Sequence, residues 1–134
     1  MNKEIIIHLP WPPSMNSYYS HTRYGVYLSK KGRLYKEKVT ESVKEQCPAV
    51  CISDRMLIEL KLFPPNKRKC DVDNYQKGLL DSLQASGLIE NDNLIDQLFI
   101  YRGTPIPGGA VIVEICDAGP LVQYPRCPAN TVRD

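Results

Sequence analysis

The sequence is short of most features that would place a chain quickly. It has no long apolar run: its longest uninterrupted stretch is a few residues, far below the ~20 needed to cross a bilayer, and no cleavable leader opens it. A membrane span and a secretory signal are therefore not expected. Gly-rich phosphate loops are missing, which argues against a nucleotide-hydrolysing domain. Histidine is scarce: His8 falls in a strand-like run and His21 in a loop with no evident orienting partner, so a Cys-His nucleophile has little support. A strong charge bias is absent too, because 17 Lys and Arg against 15 Asp and Glu leave a formal charge of +2, too little to name a partner.

What is present fits one compact domain. At 134 residues, 43% apolar and 24% charged, the chain can bury a real core without metal or disulfide staples. Five cysteines (Cys47, Cys51, Cys70, Cys116 and Cys127) form an odd set at irregular spacing, which reads as free thiols in a reducing, cytoplasmic setting.

Residues 4–9 are β-branched and apolar, and Pro10, Pro12 and Pro13 around Trp11 end them, which predicts a strand running into a rigid turn. Residues 14–23 show neither helical nor strand periodicity and are expected to be a polar and aromatic loop, with 25–28 a short second strand. After Ser29, the apolar positions Tyr35, Val39, Val43 and Cys47 recur every fourth residue, which predicts an amphipathic helix ended by Pro48. Residues 56–63 read as a strand stopped by Pro64-Pro65. Tyr75, Leu79, Leu80 and Leu83 predict a second helix over about 73–86, with Gly87 as its left-handed exit. Residues 98–102 and 110–116 predict two more strands. The expected fold is α+β: a mixed four- to five-stranded sheet with two helices packed on it over residues 1–117, then a flexible C-terminal tail over 118–134.

The chemistry concentrates in Lys67-Arg68-Lys69-Cys70-Asp71-Val72-Asp73-Asn74-Tyr75-Gln76-Lys77, where a strand exit meets a helix entrance. In an extended chain, residues two apart point the same way, so Asp71 and Asp73 can aim both carboxylates at one point. Such a pair resists joint ionisation unless a cation neutralises it, and hard oxygen ligands suit Mg²⁺ or Mn²⁺. Lys77, four residues beyond Asp73, would lie on the same helical face one turn along. The run Lys67, Arg68, Lys69 supplies positive charge suited to a phosphodiester backbone. Simpler roles stay open for each: Asp71 or Asp73 as a helix cap, Lys77 as an exposed helix cation, the basic run as a solvated loop. Downstream, Glu90, Asp92 and Asp96 form a third acidic patch, and Asp92 would meet Asp71 and Asp73 if the following strand lies beside the one ending at Phe63. Asp92 as a polar turn residue is the plain alternative. An EF-hand is excluded by Tyr75 and Gln76 at its fifth and sixth positions, and a zinc site from Cys47, Cys51 and Cys70 lacks a matching pair.

Together these residues resemble the RusA family of Holliday junction resolvases. Leu9-Pro10-Trp11-Pro12-Pro13-Ser14-Met15-Asn16 is similar to that family's N-terminal signature; the likeness continues through the basic loop, Asp71 to Lys77, Gly87 and Asp92, and fades near residue 117. The resemblance implies Asp71, Asp73 and Asp92 as metal-binding catalytic acids and Lys77 as the essential lysine. Lys67, Arg68, Lys69 and Asn74 are the expected DNA contacts. Asn91 stands where the family often has a second acid, so Glu90 or Asp96 are candidate stand-ins. The resemblance further implies a homodimer that makes paired, Mg²⁺- or Mn²⁺-dependent nicks in a four-way DNA junction, in recombination and repair. The competing expectation is a non-catalytic module that binds structured nucleic acid through the basic loop and Tyr18, Tyr19 and Tyr24.

Overall fold

The computed structural model describes residues 4–125. Strand β1 (Ile5–Leu9) ends at the proline run, and a four-residue helix α1 (Met15–Tyr18) leads directly into β2 (Tyr19–Thr22). β2 pairs antiparallel with β3 (Gly25–Leu28) as a separate two-stranded ribbon. Residues 14–23 are thus not the irregular loop that local pattern predicts. Elements this short carry no readable periodicity, and these are held by distant partners: Tyr18 is fully buried, and the Ser29 hydroxyl donates to the Tyr18 carbonyl at 2.9 Å.

The same Ser29 caps helix α2 (Lys30–Gln46) by accepting from the Gly32 N–H at 3.0 Å. The predicted stripe of Tyr35, Val39 and Val43 faces the core, and the helix ends at Gln46, two residues before Pro48. Strand β4 (Met56–Phe63) alternates buried and half-buried positions along its whole length, as a strand with one covered face must. A single 3₁₀ turn (Val72–Asn74) precedes helix α3 (Gln76–Ala85), so the second helix begins three residues later than its apolar spacing suggests. Gly87 takes the left-handed exit with φ of 85°. A second 3₁₀ turn (Asp92–Leu94) opens β5 (Ile95–Arg102), and β6 (Ala110–Asp117) follows.

The main sheet has the order β1-β6-β4-β5, antiparallel except for the parallel pair β4 and β5. This is the mixed four-stranded sheet of an α+β domain. Ile7, Leu9, Ile58, Leu60, Val113 and Ile115 from one sheet face meet Tyr35, Val39 and Val43 of α2 and Leu79 and Leu83 of α3 in one core. Burying side chains of this size is worth roughly 1.5–3 kcal/mol each, the largest favourable contribution to the fold. On the other face, Lys61 is ion-paired with Glu114, and Phe99 and Tyr101 are a little under half exposed. No helix among the described residues is long and apolar enough to cross a membrane.

The tail expected over 118–134 falls largely on residues 126–134, outside the described residues, as does Cys127. The described part, 118–125, is exposed for most of its length and has no regular element, and Gly119 N–H reaches the Gln97 side chain at 3.1 Å.

Candidate functional site

β4 and β5 run side by side in the same direction, so both C-terminal ends open onto one edge of the sheet, the usual place for a site between parallel strands. From the end of β4, Pro64-Pro65 breaks the ladder and the chain turns through the basic loop, where Asn66 accepts from the Arg68 N–H at 2.9 Å. From the end of β5, the Arg102 guanidinium donates to the Cys70 carbonyl at 2.6 Å and fastens the loop to the sheet. A cleft of about 300 Å³ results, with Lys67, Arg68, Lys69, Asp71 and Arg102 on its walls. One carboxylate therefore sits among four cations. Arg102 was not foreseen from sequence, because only the parallel pairing of β5 with β4 brings it here.

Asp71 is extended (φ −91°, ψ 128°), and its carbonyl accepts from the Asn74 N–H at 3.1 Å to start the 3₁₀ turn. Its side chain makes no capping bond, and Tyr75 at the N-cap of α3 makes none either. Asp73 lies exposed within the turn. Neither carboxylate has a hydrogen bond or ion pair to a described residue, so the helix-cap role is not realised. Because α3 starts at Gln76, Asp73 and Lys77 are not one turn apart on a single helix. Lys77 instead turns toward the later face of α3: its ammonium lies 3.3 Å from Asp81 and 5.4 Å from the ring centre of Tyr19. The Tyr19 hydroxyl donates to the same Asp81 carboxylate. Partial burial, then the Asp81 carboxylate, push the Tyr19 pKa well above the usual phenol range. Tyr75 is also raised, first by burial and then by Cys70 and Asp71.

The N-terminal proline motif buttresses this site. Pro10 accepts from the buried Tyr35 hydroxyl at 2.7 Å, and the Trp11 ring packs 4.8 Å from Tyr75, tilted by 55°. Gly109 is held at φ 70°, and a Cβ there would come within 2.9 Å of the Trp11 Cβ, so this approach admits only glycine.

Asp92 is placed elsewhere. β5 does lie beside β4, but in parallel: Ile95 pairs with Met56, and Arg102 with Leu62. Asp92, just before β5, therefore starts at the end of the sheet opposite to the basic cleft. Its backbone N–H donates to Gln84 in the last turn of α3 at 3.0 Å, whereas Asp73 precedes the first turn. From Gln76 to Gln84 the helix axis advances ~12 Å. Asn91, not Asp92, caps the second 3₁₀ turn. Asp96 pairs with Arg55 at 3.5 Å, and Glu90 is exposed with its N–H on the Ile52 carbonyl, so neither stands in beside Asp71. Among the described residues, no three His, Cys, Asp or Glu side chains gather as a metal site. That applies equally to Cys47, Cys51 and Cys70: Cys47 closes α2, Cys51 is exposed, and Cys70 belongs to the basic cleft.

Over residues 10–116 the sequence matches the family model described as Endodeoxyribonuclease RusA, a span that covers the proline motif, the basic cleft, Asp71 to Lys77 and Asp92. The chain belongs to the RusA family. It is 34% identical over 109 residues to the crossover junction endodeoxyribonuclease rusA of Enterobacteria phage HK97, covering 81% of this chain and 91% of that protein. It is 33% identical over 116 residues to the RusA enzyme of Shigella sonnei and 32% identical to that of Escherichia coli K12, covering 84% of this chain and 94% of each relative. The RusA match thus takes in both strands, both clusters of charge and the helix that link them.

Proposed function

We propose that this protein is a structure-selective DNA endonuclease that resolves four-way Holliday junctions by paired symmetric nicks, in recombination and repair, using Mg²⁺ or Mn²⁺. The observation that carries the reading is a pair of exposed carboxylates, Asp71 and Asp73, that serve no structural bond and adjoin a cleft lined by four cations. Charged side chains with no structural partner beside a basic cleft are matched to an anionic ligand and a counter-cation.

The donor set fits a hard divalent ion, since Asp71 and Asp73 offer only carboxylate oxygens, but two such residues are fewer than a protein site usually supplies. The third acid, Asp92, comes in this reading from a second copy. β5 is an edge strand with Phe99 and Tyr101 exposed, and two β5 edges related by a two-fold axis run in opposite directions. The Asp92 end of one copy then approaches the Arg102 end of the other. The homodimer is thus both the source of two cuts and the means of completing each site. When bound, the divalent ion supplies a lowered water pKa and Lewis-acid stabilisation of the phosphoryl group. Lys67, Arg68, Lys69 and Arg102 grip the phosphodiester, Asn74 borders it, and Lys77, held by Asp81 and the Tyr19 ring, offsets charge that builds in the transition state.

A purely binding module that stacks bases on Tyr18, Tyr19 and Tyr24 has weaker support: Tyr18 is fully buried and Tyr19 is half-buried on Asp81, which leaves Tyr24 alone exposed. The described cysteines are unpaired, consistent with action in the cytoplasm, where the DNA is.

Incubation with a synthetic four-way junction and a linear duplex, with and without Mg²⁺, tests the activity; selective metal-dependent nicking is expected, and equal or metal-free cutting refutes it. Mixing Asp71→Asn and Asp92→Asn chains tests the shared site. A mixed dimer retains one intact site if Asp92 is donated across the interface, so single nicks reappear. Complete inactivity of the mixture, with mixed dimers demonstrated, returns all three acids to one chain.

A further inference from the structure

Outside the cleft at the sheet edge, the strongest concentration of charge is the first half of α2. Residues 30–38 hold Lys30, Lys31, Arg33, Lys36 and Lys38 against Glu37 alone, a net charge of +4 where the whole chain carries +2. The rest of the molecule is therefore net acidic, and this helix is a local exception. Lys30, Lys31, Arg33 and Lys38 are exposed, and among the described residues none of the five cations is paired with a carboxylate. Five unpaired cations on two turns of helix repel one another, at a cost in stability that a structural role does not explain.

The geometry connects this helix to the cleft through Trp11. Lys31 and Lys38 border a trough of about 350 Å³ whose floor includes Trp11, Pro13, Leu34 and Tyr35. The same Trp11, with Tyr75, walls a smaller cleft of about 190 Å³ that Arg68 and Lys69 border on the other side. Two basic clusters thus flank one aromatic ridge. Lys31 and Lys38 are separated by two turns, ~10 Å along the axis, which lets each take a different phosphate of one backbone.

We propose that the α2 face formed by Lys31 and Lys38, across Trp11 from the Lys67 to Lys69 loop, is a second DNA-binding surface that takes the phosphodiester backbone of a different arm of the junction. The inference rests on the junction reading above and extends it: a junction presents arms in different directions, and a chain that holds two arms on either side of a ridge distinguishes a junction from a linear duplex. An acidic protein would be attracted by the same charge, but the shared ridge with the cleft favours nucleic acid. The selectivity arises because a single arm occupies one cluster, whereas a junction occupies both and releases counterions from both.

The test compares binding of a labelled four-way junction and of a linear duplex the length of one arm, without divalent metal, over a salt series. The proteins are the unaltered chain, Lys31→Ala/Lys38→Ala, Lys31→Arg/Lys38→Arg and Lys67→Ala/Arg68→Ala, each checked by thermal melting. Removing two phosphate contacts should lower the junction salt slope by about 1.8, so the affinity lost over a fourfold rise in salt shrinks by about 12-fold. The arginine variant should keep the original slope, and the duplex slope should change less than half as much. An unchanged junction slope in the folded alanine variant overturns the proposal, as does an equal flattening for the duplex, which would mean one arm crosses both clusters. If Lys67→Ala/Arg68→Ala alone leaves the slope intact while the α2 variant flattens it, the sheet-edge cleft is misassigned: α2 binds the backbone, but the two-cluster account of junction selectivity is overturned.

Discussion

Replacing Tyr18 by Phe removes one oxygen from the best-sealed polar contact in the molecule. The Tyr18 hydroxyl and the Ser82 Oγ lie 2.7 Å apart, and both residues are 0% exposed. The contact joins α1 to α3 and so ties the N-terminal motif to the helix that carries Lys77. In the variant, the Ser82 hydroxyl is left in a dry core, and a buried group deprived of its partner costs about 1–3 kcal/mol. The ring packs directly on Gly78, where a Cβ would sit 2.9 Å from the Tyr18 Cδ2, so that side of the pocket has no room for water. Ser82→Ala should cost a similar amount for the mirror-image reason. In the double variant neither polar atom remains, so its loss should be smaller than the sum of the two by about 1–2 kcal/mol. Urea denaturation of the four proteins gives the coupling directly, with the slope expected to stay constant. Additivity within about 0.5 kcal/mol would refute the reasoning, because it would mean the two hydroxyls already have other partners.

Two further outcomes follow from the site and the core. Asp71→Asn and Asp73→Asn should each lower junction cleavage by about 100-fold or more, equivalent to roughly 2.7 kcal/mol of transition-state stabilisation. Binding without metal should be retained or tightened, because a carboxylate no longer repels the phosphate; cutting at the original rate would remove these residues from the mechanism. Stability should also fall in alkali. Burial raises the pKa of Tyr18 and Tyr35 above the free-phenol value, so the folded chain holds protons that the unfolded chain releases. Their contribution is complete below about pH 10 and declines above it, by up to ~1.4 kcal/mol per pH unit for each tyrosine. A urea midpoint that stays flat between pH 9 and 11 would contradict this.

Much of the scaffold was legible because its elements are long enough to show a period. Tyr35, Val39 and Val43 repeat over more than two turns, and Met56–Phe63 alternates with the pleat, so the burial of each element is written in its own residues. The four-residue α1 and β2 were not legible: their stability comes from Tyr18 in the core and from pairing with Gly25–Leu28, not from anything local. The candidate site divides in the same way. Asp71, Asp73 and the basic loop stand out because they are adjacent in sequence. Arg102 and Asp81 do not, since each acquires its role only through a partner across the fold.

The residue sequence by itself determined which side chains could do chemistry here: hard-oxygen acids two apart, a run of cations before them, and the proline-tryptophan turn. Only the tertiary structure decided where they stand. The direction of β5 is invisible in its own pattern, because a strand alternates identically whichever way it runs, yet that direction sends Asp92 to one end of the sheet and Arg102 to the other. Sequence periodicity encodes which face is buried; the orientation of one strand against another depends on the connection between them and on the core that α2 and α3 close over it.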